Sequence, residues 1–158
     1  MSLDIESLTW CDASSNVIGI KEVMNRIRSK KEECQIHIGC DSHFVQNKCV
    51  FAIVIALYEP GNGGTYFFAR HRAGREKLSN MKIRLLKETE FAISLASLVS
   101  DKTGKKDPYV HLDINPDKRF KSSQVFTSAT SWVKSQGYEC VVKPESWASS
   151  WLADSYAK

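Results

Sequence analysis

The chain has 158 residues, 42% hydrophobic and 25% charged, with a formal net charge of +4. That length suits one domain with a proper core, and that composition excludes a disordered or low-complexity chain. No apolar run approaches the ~18 residues a membrane span requires, so no membrane partner is expected, and the small positive charge fits a polyanionic partner without demanding one.

The opening stretch MSLDIESLTW is acidic and mixed, unlike a secretory leader. Residues 1–16 are expected to form an irregular arm ahead of a single domain spanning 17–158. The five cysteines, Cys11, Cys34, Cys40, Cys49 and Cys140, include no C-x-x-C pair. Their spacing argues against a zinc ribbon or a disulfide framework and suits a reducing, cytoplasmic setting.

Residues 17–31 place Ile18, Val23, Met24 and Ile27 near helical spacing and end in basic residues, as a helix C-terminus favours. CQIHIG (34–39) reads as a first strand. The β-branched run KCVFAIVIALYE (48–59) reads as a central strand, PGNGG (60–64) as a hairpin turn, and TYFFARHR (65–72) as the return strand. A long helix is predicted from about Arg75 to Ser100. PYVHLDIN (108–115) is a strand, residues 123–136 a helix stopped by Gly137, YECVVK (138–143) a strand, and residues 146–157 a last helix. A hairpin-joined triplet followed by two crossovers gives an α/β fold, a mixed sheet with helices on both faces.

Against this frame three acids stand out. Asp41 follows the first strand in IHIGCDSH (36–43), and Asp113 lies between Leu112 and Ile114 in VHLDIN (110–115). Side chains alternate along a strand, so His37, Gly39 and Asp41 share one face, as do His111 and Asp113. If the two strands are neighbours, both carboxylates project the same way. On the long helix, Met81, Leu85, Glu88, Ala92, Leu95 and Val99 form one stripe in which only Glu88 is polar, whereas Glu90 falls on the outer side. A fourth acid is expected from the last helix. Asp154 is preferred, with Glu145 the alternative, although an acid there also simply stabilises a helix start.

Converging carboxylates repel and resist burial, and a divalent cation removes both costs. Oxygen ligands favour Mg2+ or Mn2+ over zinc. His43 and His71 are candidates for proton transfer, while His37 and His111 read as packed histidines and Trp147 and Trp151 as core. Arg70, Arg72, Arg75 and Lys77, with Lys118, Arg119 and Lys121, form two basic segments suited to a nucleic-acid backbone.

IHIGCDSH, the strand pair across PGNGG, LLKETEFAISLA, VHLDIN and the ending GYECVVKPESWASSWLADSYAK together resemble the ribonuclease H-like superfamily, and within it the YkuK-like family, a domain of unknown function. The likeness runs from about residue 17 to the end. It implies a five-stranded mixed sheet in the order 3-2-1-4-5. It also implies a site for two divalent ions built from Asp41, Glu88 and Asp113, with the fourth position at Asp154 or Glu145. The activity expected is that of a nuclease acting on DNA or RNA; the alternative is a non-catalytic nucleic-acid-binding or assembly module on the same fold.

Overall fold

The computed structural model describes residues 3–105 and 107–158. Its centre is a meander of three long antiparallel strands, β3 (Gln35–Val45), β4 (Lys48–Glu59) and β5 (Gly63–Gly74). The helix α1 (Ile20–Arg28) precedes the meander, and α2 (Met81–Thr103) crosses over to the short strand β6 (Tyr109–His111). The helix α3 (Phe126–Ser135) leads to β7 (Glu139–Val141), and a π-helical turn, Ala148–Ala153, runs into α4 (Asp154–Ala157). Both β6 and β7 run parallel to β3. No helix among the described residues is long and apolar enough to cross a membrane.

The mixed sheet and the order of the five predicted strands hold, but among the described residues the sheet has seven strands, not five: with β1 (Trp10–Asp12) and β2 (Val17–Ile18) its order is β2-β1-β5-β4-β3-β6-β7. Of these two extra strands, β1 lies inside the stretch read as irregular. β1 pairs with β5 and covers an edge that would otherwise present a row of free backbone groups. Trp10 anchors it, 1% exposed, its indole donating to the Ile5 carbonyl at 3.2 Å.

Alternation along β3 divides the molecule into two packed layers. Ile36, Ile38 and Cys40 face the main core, which takes Val23 and Ile27 from α1, Leu95 from α2 and Val133 from α3. On the other face, Ala52, Val54 and Phe68 meet Ala148, Ala153 and Ala157 of the C-terminal segment. Small residues let that segment lie close. A Cβ on Gly39 would stand 2.5 Å from the Ala148 backbone, so only glycine fits there.

Several boundaries differ from the sequence reading: the strand read over 108–115 is only Tyr109–His111, so Asp113 lies beyond it, and the strand read over 138–143 is Glu139–Val141. β3 does not stop at Gly39. It continues through Asp41, which pairs with Ala52, to a turn closed by Val45 and Lys48. The polar residues that made it look finished line a site rather than a core. The long helix begins at Met81, not near Arg75, because Asn80 caps it, accepting from the backbone N–H groups of Lys82 and Ile83.

Gly39→Ala should push the C-terminal segment off β3 and lower stability by about 1–3 kcal/mol, read as a shift in the urea midpoint. Wild-type stability in this variant would mean that Ala148 is not held against the strand.

Candidate metal centre

The register of the parallel pair sets the site. Ile38 lies opposite Val110 and Gly39 opposite His111, and there the β3–β6 ladder ends. Past it the chain after β6 stays with β7, Leu112 N–H donating to Val141 at 2.8 Å and Lys143 N–H to Ile114 at 3.1 Å. Asp41 and Asp113 each stand two residues beyond the last β3–β6 pair. They point to the same face, where the two strands have parted.

Glu88 reaches this gap from α2 on the opposite layer, and Asp154 reaches it from the start of α4. Asp41, Glu88, Asp113 and Asp154 thus line one cavity of about 280 Å3, with Ser42, His43 and Arg84. Asp41 and Glu88 are each 5% exposed. Ser42 Oγ donates to Glu88 Oε2 at 2.5 Å. Ser150 Oγ donates to Asp113 Oδ1 at 2.8 Å, and Lys143 Nζ lies 2.9 Å from the same oxygen. His43 Nε2 donates to Asp154 Oδ1 at 2.5 Å and sits 3.4 Å from Asp41 Oδ2, while Lys158 Nζ lies 3.1 Å from Asp154 Oδ2.

Burial pushes the Asp41 carboxyl up to about 10, helped by the charges of Glu88 and Asp113. Burial likewise raises Glu88 to about 8, with Asp113 adding to the shift and Ser42, Arg84 and Lys143 opposing it. Burial alone would raise Asp154 too, but hydrogen bonds from His43, Asp41 and Lys158 outweigh it and hold this carboxyl below its ordinary value.

This donor set fits a hard divalent cation. One ligand atom from each of Asp41, His43 and Asp154 lies within 4.8 Å of the others. Glu88 and Asp113 border the same cavity, and oxygen donors dominate throughout. The two innermost carboxyls hold protons that a cation would displace.

Other predicted residues lie elsewhere. His71 lines a separate cavity with Phe51, Lys87 and Phe91, because its register opposite Phe51 turns it toward α2 and away from the acids. Glu145 is exposed and is not part of the acid cavity. Arg70 donates from Nε to the Tyr156 carbonyl at 2.6 Å, Arg75 from Nη1 to the Gln46 carbonyl at 2.7 Å, and Arg119 is paired with Asp117 at 2.5 Å. Arg72 and Lys118 are exposed.

His37 and His111 are packed, as expected. Ala148 N–H donates to His111 Nδ1 at 3.3 Å, and the rings bond to each other at 2.8 Å through His37 Nδ1 and His111 Nε2. Burial holds them at about 4 and about 3. Trp147 packs on both rings but remains 38% exposed, and Trp151 is 81% exposed, so the reading of both as core is overturned. Four contributors were missed: Ser42, Arg84, Lys143 and Ser150. A polar residue one helical turn before Glu88 was the available signal for Arg84, and Ser42 stands within the quoted motif.

The raised carboxyls make metal-free stability depend on pH. Between their unfolded values near 4 and about 8, Asp41 and Glu88 keep protons in the folded chain that the unfolded chain has lost, so stability falls as pH rises. Below about 6.5 the two buried histidines act in the opposite sense, since the unfolded chain then binds protons that they refuse. The clean window is about pH 7.5–8, above the range in which the unfolded histidines, His71 included, bind protons. There the unfolding free energy of the metal-free protein should fall by about 1.4 kcal/mol per pH unit for each retained proton, and Asp41→Asn should shallow the slope. A flat urea-denaturation profile across that window would contradict the assignment.

The model of the family described as Ribonuclease H-like matches residues 18–158, nearly the whole chain. Comparisons with curated proteins and with solved structures gave no match. The match spans every element that carries a cavity acid, and the chain belongs to the ribonuclease H-like family.

Proposed function

We propose that the protein is a metal-dependent nuclease, a phosphodiester hydrolase acting on nucleic acid. The observation that carries this reading is the meeting of four carboxylates from β3, α2, the chain after β6 and α4 in one cavity at the parting of two parallel strands. The family match supports a nuclease-type fold. The finer likeness to the YkuK-like family rests on the sequence motifs and belongs to the same proposal.

Asp41, Glu88, Asp113 and Asp154 would hold two Mg2+ or Mn2+ ions. Bound there, such ions lower the pKa of water and stabilise charge on the attacking and leaving oxygens of a phosphodiester. The chain supplies the rest. Ser42 and Ser150 fix the orientation of Glu88 and Asp113. His43, half-buried at the cavity wall, keeps a proton at Nε2 between Asp41 and Asp154, where it can pass it to or from a reacting oxygen or serve as a ligand itself. Arg72 and Lys118 are free to meet a phosphate backbone, and such contacts weaken steeply with salt.

One observation favours the second reading, a nucleic-acid-binding module without catalysis. Lys143 already lies 2.9 Å from Asp113 and competes with any cation for that oxygen.

Calorimetry with MnCl2 and MgCl2, beside cleavage assays on labelled single strands, duplexes and hybrids, separates the two. Wild type should bind the ions with an affinity that rises from pH 6.5 to 8, because binding displaces protons from Asp41 and Glu88 and that displacement costs less as pH rises. Asp41→Asn/Asp113→Asn should abolish both binding and cleavage. Salt-sensitive oligonucleotide binding without metal binding would favour the module, and metal-independent cleavage would overturn the proposed site.

A further inference from the structure

Arg84 stands on α2 one turn before Glu88, so its side chain rises along the same side of the helix to the wall of the acid cavity. Its guanidinium lies over the Phe44 ring at 4.9 Å, and that of Arg75 lies over the same ring at 4.3 Å. Arg75 is also tied to the β3–β4 turn through the Gln46 carbonyl. The aromatic ring is therefore fixed, and it gives Arg84 a flat, positioned bed.

The other cations around the site already have acceptors. Lys143 is committed to Asp113, Lys158 to Asp154 and Arg75 to Gln46. Among the described residues the Arg84 guanidinium forms no hydrogen bond and no ion pair, and its Nε is sealed from solvent with no partner. A guanidinium carries a rigid fork of N–H donors that matches the oxygens of a phosphate. The sealed Nε is closed to a ligand, but Arg84 lines the cavity, so the rest of its unpaired guanidinium is the part left for an acceptor from outside the chain. Lysine could not present the fork.

We propose that Arg84 is the phosphate anchor of the site: lying on Phe44, its guanidinium receives the non-bridging oxygens of a phosphodiester entering the acid cavity. This rests on the nuclease reading and deepens it. A phosphodiester is an anion brought among carboxylates, and a fixed positive charge on the cavity wall offsets part of that repulsion.

The test is a titration of the 15N-labelled protein with diethyl phosphate in MgCl2, following the Arg84 Nε–H resonance, which is assigned by its absence in Arg84→Lys. Wild type should show a saturable shift, and Arg84→Gln and Arg84→Lys should each bind the diester about tenfold more weakly with unchanged backbone spectra. Phe44→Leu, which leaves the guanidinium in place but removes its bed, should weaken binding by a smaller factor. An unmoved Arg84 resonance, or wild-type affinity in Arg84→Gln, overturns the anchor. If this happens while wild type binds magnesium, the anchor alone fails. A wild type that binds no magnesium overturns the metal-site reading and the anchor with it.

Discussion

The site exists because β3 has unequal neighbours. β4 accompanies it along all eleven residues, whereas β6 pairs with only three of them before turning to β7. A sheet is normally a barrier between its two layers. Here it opens just past Gly39 and His111, and a carboxylate from α2 on one side can meet carboxylates from β3 and α4 on the other. Ligand sites in open α/β sheets lie outside the carboxyl ends of parallel strands for the same reason. Two residues of extra pairing between β3 and β6 would close the gap and strand Glu88 in the core.

Charge is balanced unevenly around that gap. Asp113 and Asp154, nearer solvent, each have a lysine, and Asp154 has His43 as well. Asp41 and Glu88, the most deeply buried, have weaker support. Glu88 accepts a hydrogen bond from the Ser42 hydroxyl, and Asp41 has the Ser42 backbone, a hydrogen bond shared with Asp154 and the more distant His43 ring. Compensation thus sits at the rim and is scarce at the centre. A compact, multiply charged cation is the partner that such a centre favours, since long side chains cannot reach it without losing their own hydration.

Much of this was legible in the sequence because it rests on periodicity. The run 48–59 is β4 end to end, and the break in an apolar helical stripe at Glu88 found an acid that is indeed buried. Asp41 and Asp113 could be matched because alternation fixes faces once the register is known. The rest depended on what periodicity does not encode. β1 is three residues long and is recognised only by the edge it covers. Asp41, Ser42 and His43 looked like the end of a strand because polar residues facing a site resemble polar residues facing water. Lys143 resembled an ordinary strand end and Arg84 an ordinary surface arginine. Their roles come from partners far away in the chain, and in the case of Arg84 from the lack of one.

The π-helical turn explains why α-helical spacing misjudged the last helix. On an α-helix Trp147, Ser150, Trp151 and Asp154 would share one side. In the wider turn Ser150 reaches Asp113 and Asp154 reaches His43, while Trp151 stands out in solvent. A π turn is an α turn with one residue too many, and each residue of an α-helix is worth about 100° of rotation. The segment therefore works as a phase adjuster: the surplus residue turns the final acid into the cavity while Ala148, Ala153 and Ala157 stay seated on the sheet. Gain or loss of a single residue between 148 and 153 would therefore re-aim the fourth carboxylate and, with it, the seating of Ala153 and Ala157.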